Sequence, residues 1–131
     1  MAFRLLDTNI VSHILNRHTL ASAYQPHLTG YDLAISFQTH AELFEGANLA
    51  GWGATRRSGL QSLLATLTLL DGTADVALRW AEIRVARRSQ PIGVADCWIA
   101  ATALTYGLEL VTHNAADFQN IPGLTIITEV P

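Results

Sequence analysis

The chain has 131 residues, half of them hydrophobic and 15% charged, a make-up that fits one folded domain and excludes a disordered chain. No apolar run approaches the roughly 20 residues of a membrane helix, and the N-terminus meets Asp7 before any signal-peptide core forms. Cys97 is the one cysteine, which excludes an internal disulfide and fits a reducing, cytoplasmic setting, while the net charge of −3 argues mildly against holding nucleic acid by bulk charge.

Phe3 to Leu6 reads as a first strand ending at Asp7. Asp7-Thr8-Asn9 supplies cap-type residues for a helix that carries Ile10 and Ile14 and ends near Asn16, and a second helix is expected within Leu20 to Leu28. Leu33 to Ser36 reads as a buried strand and Thr39 to Ala50 as a helix, in which Thr39-x-x-Glu42 has the spacing of a capping box. Gly51 and Gly53 mark a break before a helix at Ala54 to Ala65 and a short strand at Thr66 to Leu70. Thr73 to Ser89 is expected to be helical, with Val76, Trp80 and Ile83 on one stripe. After Pro91 and Gly93, an alanine-rich helix from Val94 to Tyr106 is closed by Gly107. Leu108 to Thr112 and Leu124 to Thr128 complete the strands. The alternation predicts a single α/β domain over 1–131, an α/β/α sandwich with a mostly parallel sheet of about four to five strands.

In such sheets ligands bind beyond the C-terminal ends of the strands, where the following helices begin. Asp7 and Asn114 end strands there, and Glu42 and Asp96 lie in the first turns of helices that start at the same edge. Convergence of these residues would need a cation, because gathered carboxylates repel one another. Oxygen donors with no histidine pair or cysteine suit Mg²⁺ or Mn²⁺ rather than zinc. Hydrolysis of a phosphodiester is the chemistry such a site performs. Singly, each acid has a plainer reading: Asp7 as a helix cap and Glu42 as the capping-box partner of Thr39. Asp96 stands among apolar and small neighbours, Ile92 to Ala101, where an acid is either a buried cap or a ligand.

Four segments carry a family resemblance: Leu5-Leu6-Asp7-Thr8-Asn9, Thr39-x-x-Glu42-Leu43, Ile92-Gly93-x-x-Asp96-x-x-Ile99-Ala100-Ala101 and Leu110-Val111-Thr112-x-Asn114-x-x-Asp117-Phe118. In this order and register the chain resembles PIN-domain ribonucleases, in particular the VapC toxins of bacterial toxin–antitoxin pairs. The resemblance implies a PIN fold and a Mg²⁺- or Mn²⁺-dependent endoribonuclease that cuts structured RNA, often tRNA. It also implies inhibition by a small VapB-like antitoxin, and a homodimer. By motif position Asp7, Glu42 and Asp96 are the candidate metal ligands, and Asn114 joins them as the fourth candidate catalytic position, where many members carry aspartate. Asp117 is placed to compensate for that amide, and Thr8 and Thr112 to hydrogen-bond the carboxylates from behind.

Half of the basic residues, Arg79, Arg84, Arg87 and Arg88, fall on one expected helix, so Arg84 and Arg87 are candidates for RNA phosphate contact beside the plainer reading of a solvated face. The five histidines show no metal-ligand spacing, and Cys97 reads as a small packed residue. The absence of lysine excludes dehalogenase-type phosphatases and phosphorelay receivers, which need one beside their aspartates. A DNA-directed PIN nuclease or a catalytically silent PIN-fold binding module remain as the alternatives.

Overall fold

The computed structural model describes residues 2–130. Five strands form one sheet in the order β3-β2-β1-β4-β5, with every neighbouring pair parallel. In chain order the elements are β1 (Phe3–Leu6), α1 (Thr8–Leu15), α2 (Thr19–Leu28), β2 (Asp32–Ser36), α3 (Phe37–Leu49), α4 (Ala54–Leu64), β3 (Thr68–Leu70), α5 (Ala74–Ala86), α6 (Val94–Tyr106), β4 (Glu109–Val111), a 3₁₀ turn (Ala115–Phe118) and β5 (Ile126–Ile127).

Side chains alternate across a strand, and here alternation sorts the core into two halves. Leu5, Ala34 and Leu110 face Val76 and Ile83 of α5 and Ile99, Ala100 and Ala103 of α6. Their chain neighbours Leu6, Ile35 and Val111 face the opposite way, against Ile10 and Val11 of α1, Tyr24 and Leu28 of α2, Leu43 and Ala47 of α3 and Leu60 of α4. Both faces of the sheet are therefore covered. That is why the central strands read as continuous apolar runs.

The strand order places β2 on one side of β1 and β4 on the other. The gap beyond the C-terminal ends of β1 and β4 is thus a topological switch point, where loops leave in opposite directions and open a crevice. Asp7 immediately follows β1 and Thr112 immediately follows β4, and the Asp7 amide donates to the Val111 carbonyl at 2.9 Å.

Strands β3, β4 and β5 are shorter than the sequence reading by two or three residues, β2 is one residue longer, and two helix boundaries differ from it by more than one residue. The helix that carries Glu42 begins at Phe37 and its cap is Ser36, whose hydroxyl accepts from the Thr39 amide at 3.1 Å. Thr39 is the third helical residue and no capping box forms, because the helix starts directly from β2 with no intervening turn. The helix expected to reach Ser89 ends at Ala86, with Arg87 as its C-terminal cap. Thr73 caps its start, accepting from the Val76 amide at 3.3 Å. Gly107 closes α6 with φ of 67°, a left-handed conformation that glycine adopts without strain.

Ile99 is fully buried between α6 and the sheet. Ile99→Ala is expected to lower the unfolding free energy by about 2–5 kcal/mol. Urea denaturation would read this as a fall in midpoint with an unchanged slope.

Candidate active site

Asp7 is the most enclosed of the acids, with 3% of its surface exposed. Its Oδ1 accepts from the Thr8 amide at 2.8 Å, so it does cap α1, and its Oδ2 accepts from the Thr112 hydroxyl at 2.7 Å. Thr112 Oγ1 in turn accepts from the Asn114 amide at 3.0 Å, which ties the turn after β4 to the carboxylate after β1. Burial pushes the Asp7 carboxyl above its ordinary value, the two hydrogen bonds oppose that rise, and the charge on Asp117 adds to it.

Glu42 sits one turn into α3 at the end of a chain of hydroxyls. Ser36 Oγ donates to Thr39 Oγ1 at 3.4 Å, Thr39 Oγ1 lies 2.9 Å from Thr8 Oγ1, and Thr8 Oγ1 donates to Glu42 Oε1 at 3.0 Å. Because Thr8 spends its proton on Glu42, Thr39 is the donor in the middle link, and all the hydroxyls point the same way. Such aligned chains polarise one another. The sequence reading took Thr39 only as a capping-box residue and Ser36 only as a strand end, and missed both as buried supports of this chain.

Asp96 lies in the first turn of α6, whose cap is Gly93 with no side-chain hydrogen bond. Half-buried, its carboxylate accepts no hydrogen bond among the described residues, which removes the reading of Asp96 as a cap. Its pKa is pushed up to about 6, first by burial and then by the charges of Asp7, Asp117 and Glu42. Those three charges come from three other chain segments and act on Asp96 together. The structure therefore brings Asp7, Glu42 and Asp96 to the switch point together.

At the fourth corner the backbone of Asn114 is anchored by Thr112, and its exposed side chain makes no hydrogen bond among the described residues. Asp117, in the 3₁₀ turn, raises the pKa of both Asp7 and Asp96 and so adds the fourth negative charge. Tyr24, fully buried, steadies the same turn from α2, with its hydroxyl 2.5 Å from His113 Nδ1.

The two candidate RNA-contact arginines both make main-chain contacts within the protein. Arg84 donates to the Ile92 carbonyl at 3.0 Å, and Arg87 donates to the carbonyls of Gln90, Asp117 and Gln119. Cys97 is buried and its thiol is pushed up to about 11, which leaves no thiolate to act as a nucleophile.

A family model for the PIN domain matches residues 4–124. The chain belongs to the PIN-domain family. Among PIN proteins it is 32% identical over 125 residues to ribonuclease VapC1 of Haemophilus influenzae, covering 92% of each chain. To the tRNA(fMet)-specific endonuclease VapC of Shigella flexneri it is 29% identical over 122 residues, again 92% of each. Among solved structures, VapBC2 from Rickettsia felis bound to a DNA fragment from their promoter superimposes with a TM-score of 0.84 at 27% identity, over 96% of this chain and 98% of that one.

The donor set of this PIN site fits a hard divalent cation: it is made of oxygens, and Asp96 carries an uncompensated electrostatic penalty that a cation would remove. Among the described residues no group of three or more acidic, histidine or cysteine side chains is placed so that together they could hold a metal ion. Mg²⁺ does not require such a group, since it keeps several waters and takes few carboxylates.

Ionisation of Asp96 costs the fold, because its folded pKa of about 6 lies above the ordinary 3.8. Between those values the folded state holds a proton that the unfolded state has lost, so metal-free stability falls as pH rises through this window and stays lower above it. Asp96→Asn removes the penalty. In EDTA it is expected to melt higher than wild type at pH 7.5, and the difference is expected to shrink by pH 4.5.

Proposed function

We propose that this protein is a Mg²⁺- or Mn²⁺-dependent endoribonuclease that hydrolyses phosphodiester bonds of structured RNA and is restrained by a small antitoxin. One observation carries the reading: burial at the switch point, reinforced by the charges of Asp7, Asp117 and Glu42 from three other segments, pushes Asp96 up to about 6. Asp7, Glu42 and Asp96 would hold the ion, with Asn114 and Asp117 at the fourth corner. When bound, the ion lowers the pKa of water and stabilises charge on the scissile phosphate and leaving oxygen, so no protein nucleophile is needed.

The protein's own groups supply orientation. Thr8 and Thr112 fix both oxygens of Asp7, and the Ser36–Thr39–Thr8 chain fixes Oε1 of Glu42. The carboxylate oxygens keep further lone pairs for a cation. Structured RNA, tRNA among it, is the substrate class in keeping with the Shigella relative's name. A VapB-like antitoxin is the partner in keeping with solved complexes such as VapBC2.

Expression of the wild-type chain alone is expected to arrest bacterial growth and leave cleaved cellular RNAs, and Asp7→Asn to do neither. In vitro, EDTA is expected to abolish cleavage and Mg²⁺ to restore it. Harmless expression of both forms would refute the toxin reading, and equal cleavage of the all-deoxy analogue would redirect the activity to DNA.

A second copy of the chain is the expected partner of the outer face of α5, where Leu78 and Val85 are 60% and 59% exposed and two turns apart. Leu78→Glu is expected to convert a dimer to a monomer in sedimentation, and a wild-type monomer would remove the dimer.

A further inference from the structure

Arg87 joins two loops that carry different acids. From the C-terminal cap of α5 its Nε donates to the Gln90 carbonyl at 2.8 Å. Its Nη1 donates to the carbonyls of Asp117 at 3.2 Å and Gln119 at 2.8 Å. Gln90 belongs to the segment that leads into α6 and Asp96, and Asp117 and Gln119 belong to the turn after β4. One planar group thus spans both. One helical turn earlier, Arg84 holds Ile92, the residue before the cap of α6, at 3.0 Å.

Asp117 needs such a restraint. Asp7 and Asp96 both repel it, and its exposed carboxylate accepts no hydrogen bond among the described residues. What holds its backbone in place is the buried ring of Phe118 on one side and the Arg87 guanidinium on its carbonyl on the other. A fork with fixed donor directions can hold several carbonyls at once, and an ammonium on a flexible stem reproduces its charge without that geometry.

We propose that Arg87 is a positioning residue, which fastens the Asp117 turn to the Asp96 loop and so sets the affinity of the site for its divalent ion, rather than a contact to RNA phosphate. The inference rests on the metal-dependent reading given above.

The test uses purified wild type, Arg87→Lys and Arg87→Ala, each checked by circular dichroism. Mn²⁺ binding is read from the electron paramagnetic resonance of the free ion, and RNA binding from retention of labelled bulk tRNA in EDTA across a salt series. Both variants are expected to bind Mn²⁺ about tenfold or more weakly, the usual cost of losing a group that orients metal ligands. RNA affinity in EDTA and its salt dependence are expected to stay at wild-type values. Wild-type Mn²⁺ affinity in Arg87→Lys overturns the proposal, because charge alone then suffices. A salt dependence lowered by about one ion, with Mn²⁺ binding unchanged, overturns it in favour of phosphate contact. If Arg87→Ala does not fold, Arg87→Lys decides. A wild type that neither binds Mn²⁺ nor needs a divalent ion for cleavage refutes the metal-dependent reading first, and this inference falls with it.

Discussion

Carboxylates gathered in a half-buried crevice repel one another, and much of the local architecture at the switch point answers that repulsion. Asp7 is withdrawn from water, which raises its pKa, and two donors, the Thr112 hydroxyl and the Thr8 amide, favour its charged form and oppose that rise. Glu42 is held through a chain of hydroxyls that starts at the end of β2. Asp96 has no donor of its own and bears the penalty as a raised pKa. An unpaired, perturbed acid in a cleft is the common signature of a working site, since a fold selected for stability alone would have neutralised it.

The same repulsion explains why the loops are fastened so heavily. Asn114 and Asp117 lie on a segment with little regular structure, between β4 and β5. Thr112 holds the first by its amide, Phe118 anchors the second in the core, and Arg87 ties the second across to the neighbouring loop. An acidic protein with no lysine thus commits two of its arginines to main-chain carbonyls around its acids, and their charges lie close enough to lower the Cys97 thiol against the larger upward push of burial.

Much of this was legible in the sequence. Apolar runs, glycines and prolines marked every helix and strand, with ends displaced by a few residues, and the fold class followed from their alternation. Asp96 was conspicuous because its neighbours are apolar, and it proved to be the acid with a raised pKa and no hydrogen bond. Glu42 was misread locally: Thr-x-x-Glu spacing promised a capping box, yet the helix starts at Phe37, so Ser36 takes the cap and Glu42 pairs with Thr8 instead. Spacing along a helix cannot reveal where the helix begins when a strand runs straight into it. The main-chain contacts of Arg84 and Arg87 were not legible either, since they depend on how the loop after α5 folds back and, for Arg87, on a turn about thirty residues away.

By itself, then, the sequence determined the elements, the two-sided burial of the sheet and the identity of the acids, because hydrophobic period and residue chemistry are local properties. Only the tertiary structure decided that Ser36 and Thr39 extend the hydroxyls behind Glu42, and that the charge of Asp117 acts on both Asp7 and Asp96. Those facts depend on strand order. Placing β4 beside β1 is what turns residues a hundred positions apart, Asp7 and Thr112 among them, into hydrogen-bonded neighbours 2.7 Å apart.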